Sequence, residues 1–161
     1  NSMFGPKQSV IQLDIGFEPE AAVSGPVLLQ TDDDTFLTFK AVRMAGERRE
    51  TAGTGVIEIQ GCSVTKFGYP NDEALAGHPL YKHGLGAYGV FEVKKSIWIQ
   101  QMTEQNRVSF PQTTESRRRH FVFTFHDSTF ECVADEIRAT LRTEPYEQIF
   151  GEIAGKILRS V

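Results

Sequence analysis

The sequence predicts one α+β domain over residues 1–161, with a mainly antiparallel sheet and helices packed on one face. Stretches of alternating apolar and polar residues, typical of strands, recur along the chain, whereas helical spacing occurs only near residue 100 and at the C-terminus. Strands and helices do not alternate regularly, which argues against a parallel sheet. A chain of 161 residues is the usual size of a single domain.

The first third of the chain reads as antiparallel strands. Residues 10–17 alternate between apolar and polar side chains, and residues 27–30 and 35–43 form a predicted hairpin with an acidic tip. A further strand lies within 55–66. Between these elements, residues 47–53 are charged and rich in small side chains, so we expect a mobile loop there.

Residues 67–86 form the longest irregular segment of the sequence. Loops of this length in compact domains are usually functional or disordered, and the aromatic and leucine content of this one favours order. A strand is predicted over 88–93, and Ser96 is the expected N-cap of a helix that runs to about residue 106.

Residues 120–134 carry the clearest strand signal. Three alternating phenylalanines point to one face, and His120 points to the other. We therefore expect a hairpin with one buried face and one polar, exposed face, on which a His120→Ala change has little effect on stability. The three phenylalanines are Phe121, Phe123 and Phe125.

The register of this hairpin follows if Asp127 and Ser128 form a two-residue turn. His126 then pairs with Thr129, and Glu131 lies diagonally opposite His126 on the polar face.

Residues 143–161 predict an amphipathic C-terminal helix capped by Thr143. Its apolar stripe must be covered, either by the sheet of the same chain or by the same helix of a second copy. We favour a homodimer formed through residues 145–161. The stripe consists of Tyr146, Ile149, Phe150, Ile153, Ile157 and Val161.

Composition excludes several classes of protein. The net charge of −4 makes nucleic-acid binding unlikely, and no apolar run has the ~20 residues that a membrane helix needs. Two cysteines do not form a disulfide framework, so a cytoplasmic location is expected. Asn1-Ser2 is interpreted as an artificial addition before Met3.

Two segments, FGYPNDEALAGHPLY from Phe67 and HFVFTFHDSTFEC ending at Cys132, resemble those of a group of small, uncharacterised bacterial proteins. The resemblance covers the middle of the chain and leaves the terminal helix outside. It implies no activity and transfers no catalytic residue.

The predicted functional surface combines the 67–86 loop with the 126–131 hairpin, because long loops on a rigid sheet often carry recognition groups. The candidate binding residues are Tyr69, Asn71, Asp72, Glu73, His78, Tyr81, His83, Tyr88, His126, Asp127 and Glu131.

Three chemical interpretations of this surface stay open. No cofactor is predicted, but a metal ion could be held by His126, Glu131 and either His78 or His83. Asp127 could instead orient His126 for acid–base chemistry, or both could be ordinary hairpin residues.

A cationic run at 117–119 presents a separate choice. It either holds a phosphate, a carboxylate or an acidic partner, or forms a solvated loop.

Each catalytic or cofactor motif lacks a required spacing or context. We therefore expect a non-enzymatic binding or protein-interaction module whose protein or small-molecule partner is unknown. The alternative is a small enzyme, a hydrolase or isomerase, possibly metal-dependent, with its site at the 67–86 loop and the 126–131 hairpin.

Overall fold

The computed structural model describes residues 7–161, so the interpretation of Asn1-Ser2 lies outside the described residues. Within that range the chain forms ten strands and two α-helices. They are β1 (Ser9–Gln12), β2 (Glu18–Pro19), β3 (Val27–Gln30), β4 (Thr35–Ala45), β5 (Arg48–Gln60), β6 (Val64–Gly68), β7 (Val90–Lys94), α1 (Ile97–Ser109), β8 (Arg119–Thr124), β9 (Thr129–Ala134), β10 (Glu136–Arg142) and α2 (Tyr146–Ser160).

The strands form two antiparallel sheets. The first has the order β1-β7-β8-β9-β6, and the second has the order β10-β5-β4-β2, with β3 also paired to β4. Runs of hairpin-connected strands together with a terminal helix confirm the predicted α+β class.

A phenylalanine-rich core fills the space between the two sheets. Phe39 of the second sheet meets Phe123 and Phe125 of the first, with ring centroids 6.1 and 5.4 Å apart. Phe121, Phe123 and Phe130 are completely buried, as the alternation along β8 predicts. Close approach at the centre requires a glycine, because a Cβ on Gly55 would lie 2.6 Å from the Phe17 ring.

The second sheet is covered on its outer face by α2. Three isoleucines of this helix pack against Phe36 of β4 and Val56 of β5, so this part of the apolar stripe is covered within the same chain, whereas Tyr146 and Val161 are exposed. Pro145, not Thr143, occupies the N-cap position, and the helix begins two residues later than the sequence predicts. The isoleucines are Ile149, Ile153 and Ile157.

The first sheet is also covered on its outer face, by α1 and the 67–86 segment. Leu75, Leu80 and Leu85 of that segment pack on Phe91 and Val122, and the segment includes two short 3₁₀ turns. The prediction that one face of the 120–134 hairpin is exposed is therefore wrong, because tertiary packing buries both of its faces.

The hairpin register differs from the prediction by two residues. Thr124 pairs with Thr129, and a four-residue connection spans 125–128, closed by the Phe125 amide donating to the Ser128 carbonyl at 2.9 Å. A shift of two residues preserves which face each side chain occupies, so the predicted faces are right although the pairs are wrong.

Two other local predictions are wrong. Residues 47–53 are not a loop: β4 and β5 continue as a long hairpin that turns at 46–47. The strand expected over 10–17 ends at Gln12, where the chain turns, and the Gly16 amide donates to Asp14 at 2.9 Å.

The length and polarity of a helix decide whether it can cross a membrane. Neither helix in the described part of the chain is long and apolar enough to cross a bilayer.

Candidate functional site

A buried carboxylate lies at the centre of the outer face of the first sheet. Each oxygen of Glu131 on β9 meets one histidine: Oε2 lies 2.9 Å from His78 Nε2, and Oε1 lies 2.8 Å from His120 Nε2. The side chains are 11%, 8% and 3% exposed, respectively. We call these three residues the histidine–glutamate cluster.

The Nδ1 atoms of the two histidines face away from Glu131, and the contact at His78 Nδ1 shows which nitrogen of that ring carries the proton. The Leu80 amide donates to His78 Nδ1 at 3.0 Å, so Nδ1 carries no proton and His78 Nε2 donates to Glu131. His120 Nδ1 lies 2.8 Å from the Ser96 hydroxyl, which in turn accepts the Ile99 amide of α1 at 3.2 Å. The cluster thereby joins the 67–86 loop, the sheet and the N-cap of α1.

Aromatic and cationic groups close the cluster on its remaining side. The Trp98 ring of α1 stands edge-on to His120 with centroids 5.1 Å apart. Lys66, which is the cross-strand partner of Glu131 on β6, places Nζ 4.0 Å from the Trp98 centroid. The helix is therefore attached to the sheet by specific contacts, since it buries no apolar side chain completely.

Opposing effects act on the pKa of Glu131. Burial raises it, but the hydrogen bonds from His120 and His78 outweigh burial and lower the pKa to about 2. Glu131 is therefore an ionised carboxylate at neutral pH with both oxygens satisfied.

A second hydrogen-bonded group lies at the hairpin tip. Asp72 of the loop accepts from the Tyr88 hydroxyl and, at 2.7 Å, from His126 Nδ1. Asp72 is 12% exposed, whereas His126 is 44% exposed. His126 Nε2 lies 3.8 Å from Asp127 Oδ1, which is too far for a hydrogen bond. The Asp72 amide also donates to the His126 carbonyl at 3.0 Å, which fixes the loop against the hairpin.

These contacts shift the pKa of all three groups. The Tyr88 hydrogen bond, followed by that of His126, holds the pKa of Asp72 below its usual value. The hydrogen bond to Asp72 raises the pKa of both His126 and Tyr88. The Asp72–His126 pair therefore favours the ionised form of both side chains.

The other predicted residues are divided between structural and exposed positions. Asn71 Oδ1 accepts the Ala74 amide at 3.0 Å and so stabilises the turn. Tyr69 is 87% exposed, and Tyr81 and Glu73 are exposed as well. His83 is half-buried.

The structure brings the loop and the hairpin together through His78 and Glu131, which were expected to share a site, and through Asp72 and His126, whose pairing was not expected. Asp72, not Asp127, holds the His126 ring at Nδ1; Asp127 lies 3.8 Å from Nε2. Because of the register shift, Glu131 pairs with Val122, and its diagonal neighbour across the hairpin is His120 rather than His126.

Ser96, Trp98, Lys66 and His120 were missed as members of the site. The shared face of His120 and Glu131 is visible in the alternation, but only the correct register makes them neighbours. The sequence contains no signal that Lys66 is the cross-strand partner of Glu131.

The proposed metal ligands are distributed over both groups: His78 contacts Glu131, and His126 contacts Asp72. Within residues 7–161, no set of three or more His, Cys, Asp or Glu side chains has an arrangement that could hold a metal ion. Metal binding therefore stays a prediction that no geometry of the described chain favours.

Comparisons of this chain with protein-family profiles, with curated proteins and with solved structures found no match. The chemistry of the two groups thus has to be argued from their own geometry.

We expect His120→Ala to lower the free energy of unfolding by about 3 kcal/mol, because it leaves one oxygen of a buried carboxylate without its donor. The matched change, His126→Ala, removes a half-exposed ring and should have only a small effect. Chemical denaturation of both variants at pH 7 measures the difference. Equal losses would show that the histidine–glutamate cluster has no special structural role.

Acid should weaken the fold through Glu131. Its pKa is lower in the folded chain, about 2, than its ordinary value of 4.5, so its contribution is complete above about pH 4.5 and is lost as pH falls towards 2. The predicted loss is about 3 kcal/mol. Denaturation curves between pH 6 and 2 should show a flatter pH dependence for Glu131→Gln than for the native chain, while Asp127→Asn should follow the native chain.

Proposed function

We propose that the protein is a non-enzymatic binding module and that its partner is a protein with a cationic segment. The proposed surface is the hairpin tip with the adjoining loop, defined by Tyr69, Glu73, His126 and Asp127. One observation carries the proposal: the buried carboxylates of this region are fully occupied by internal donors, whereas an aromatic ring and two acidic side chains face outwards.

Rigidity supports recognition at this surface. The Thr129 hydroxyl donates to the Pro70 carbonyl at 2.9 Å, next to the exposed Tyr69 ring. The Asp72–His126 contact fixes the same loop from its other side. A surface that is held in place loses little conformational entropy when a partner binds.

The charge around the tip selects the class of partner. Asp127 is 88% exposed and lies 3.8 Å from His126 Nε2; after the hydrogen bond with Asp72, the charges of Asp127 and Glu73 also raise the pKa of His126. A lysine or arginine of the partner can pair with these carboxylates and lie over the Tyr69 ring.

A small acid–base enzyme is the second candidate, and the Asp72–His126 pair favours it. The carboxylate orients the ring through Nδ1, and Nε2 faces outwards, where it could exchange a proton with a substrate. For such an enzyme, removing the His126 ring would abolish catalytic activity, whereas removing Tyr69 would leave it unchanged.

Fluorescence anisotropy with a labelled tetra-arginine peptide tests the binding proposal at physiological salt. We expect Tyr69→Ala/Asp127→Asn to weaken binding at least tenfold, because it removes both the ring and a carboxylate. Tyr146→Ala/Glu147→Gln, a matched change on α2, should alter binding less than twofold. A native chain that does not bind the peptide, or that binds an uncharged tetra-serine peptide equally well, contradicts the proposal.

We also propose that two copies associate through residues 145–161, and that the protein acts in the cytoplasm, as its cysteine content predicts. The buried isoleucines of α2 are used within the chain, but Leu158 is 71% exposed and Tyr146 is 39% exposed. Antiparallel pairing of two α2 helices would bring Glu147 of one copy towards Arg159 of the other.

Light scattering over a tenfold range of concentration measures this association. We expect the mass to approach twice that of one chain, and Leu158→Glu to return it to that of one chain. A single-chain mass for the native protein at the highest concentration would reject the dimer and leave the packing of α2 on its own sheet intact.

A further inference from the structure

A groove of about 660 Å³ lies between α1, the loop that follows it and the adjoining ends of β7 and β8. This volume is within the ~300–1,000 Å³ typical of small-molecule pockets. The groove is at the opposite end of β8 from the hairpin tip, roughly 17 Å along the strand from Arg119 to Thr124. It is therefore separate from the surface proposed to bind a cationic partner.

The groove is cationic although the whole chain carries a net charge of −4. Five basic side chains line it against three carboxylates. The basic side chains are Lys94, Lys95, Arg107, Arg118 and Arg119.

Glu92 lines one edge of the groove, on the Phe121 face of β7, and neutralises two cations only partly. Its carboxylate accepts from Arg119 at 2.9 and 2.7 Å and from Lys94 at 3.2 Å. Glu92 is 5% exposed, whereas Arg119 and Lys94 are 41% and 51% exposed. One carboxylate between two cations leaves a positive charge that faces the groove.

Several donors in the groove remain available for a ligand. Arg119 uses Nε and Nη2 for Glu92, and its Nη1 has no hydrogen-bond partner within residues 7–161. The guanidinium also lies 4.7 Å from the centroid of the Phe121 ring, so its orientation is fixed. Lys95, at the turn between β7 and α1, makes no ion pair with any described residue.

The backbone turn at Lys95 brings the basic side chains at the end of β7 close to the start of α1. Lys95 has a φ of +57°, a left-handed conformation that turns β7 directly into α1 and places two consecutive lysines at the mouth of the groove. Ser96, the next residue, caps the helix, whose N-terminal end adds partial positive charge to the same place.

We infer that this groove binds a small anion that carries at least two negative charges on phosphate or carboxylate groups. An arginine held by a buried carboxylate presents its remaining N–H groups in a fixed direction, and such groups bond both kinds of oxygen. The lysines supply the additional charge that a multiply charged anion requires. The cationic run at 117–119 contributes two of the five cations, Arg118 and Arg119.

Isothermal titration calorimetry of the full chain tests this site, with inorganic pyrophosphate and citrate as probes at constant ionic strength. We expect the native chain to bind at least one probe, and the tighter probe identifies the group that the site prefers. Lys94→Gln/Lys95→Gly should weaken binding at least tenfold. Glycine at position 95 accepts the left-handed backbone, so this variant should fold.

The matched control is Lys40→Gln/Lys156→Gln, which removes the same charge from exposed positions on the second sheet and α2. It should change the affinity less than twofold. Absence of binding of both probes to the native chain overturns the inference, and so does equal weakening by the two double variants, because that result would indicate a general effect of net charge. If the Lys94→Gln/Lys95→Gly chain melts early, Lys95→Gly alone should still weaken binding at least threefold.

Discussion

The carboxylate of Glu131 imposes the constraint on which the outer face of the first sheet depends. A buried carboxylate is costly unless donors satisfy it, and here His78 and His120 each satisfy one oxygen. One of these donors comes from the 67–86 loop and the other is bound to Ser96 of the helix N-cap. A single charged group thus determines where the loop and α1 lie on the sheet.

This constraint separates structural polar groups from those that can meet a partner. The histidine–glutamate cluster is buried and fully paired, so its chemistry is used to hold the fold. Polar groups that remain available lie at the two ends of β8: the acidic hairpin tip around His126 and the cationic groove around Arg119. If both proposals hold, opposite charges at the two ends give one sheet two surfaces that select different partners.

The candidate site shows which features the periodicity of the sequence can predict and which it cannot. Alternation correctly placed Glu131 and His120 on one face, whereas a functional role for residues 67–86 stays a prediction. The expected pairing of His126 with Thr129 and its diagonal contact with Glu131 were wrong, because a turn of four residues instead of two moves every cross-strand pair while leaving the faces unchanged. The acid beside His126 is Asp72, which is 54 residues away in the chain, so no local pattern contains this contact.

The sequence by itself determined the α+β class, the phenylalanine face of β8, the capped start of α1 and the apolar stripe of α2, because each is a local pattern with a fixed period. Only the tertiary structure decided that two sheets enclose the core, that His120 is buried and that α2 packs on its own chain. Local patterns show which side of an element is apolar. They do not specify which surface covers it, since that depends on contacts between residues far apart in the chain.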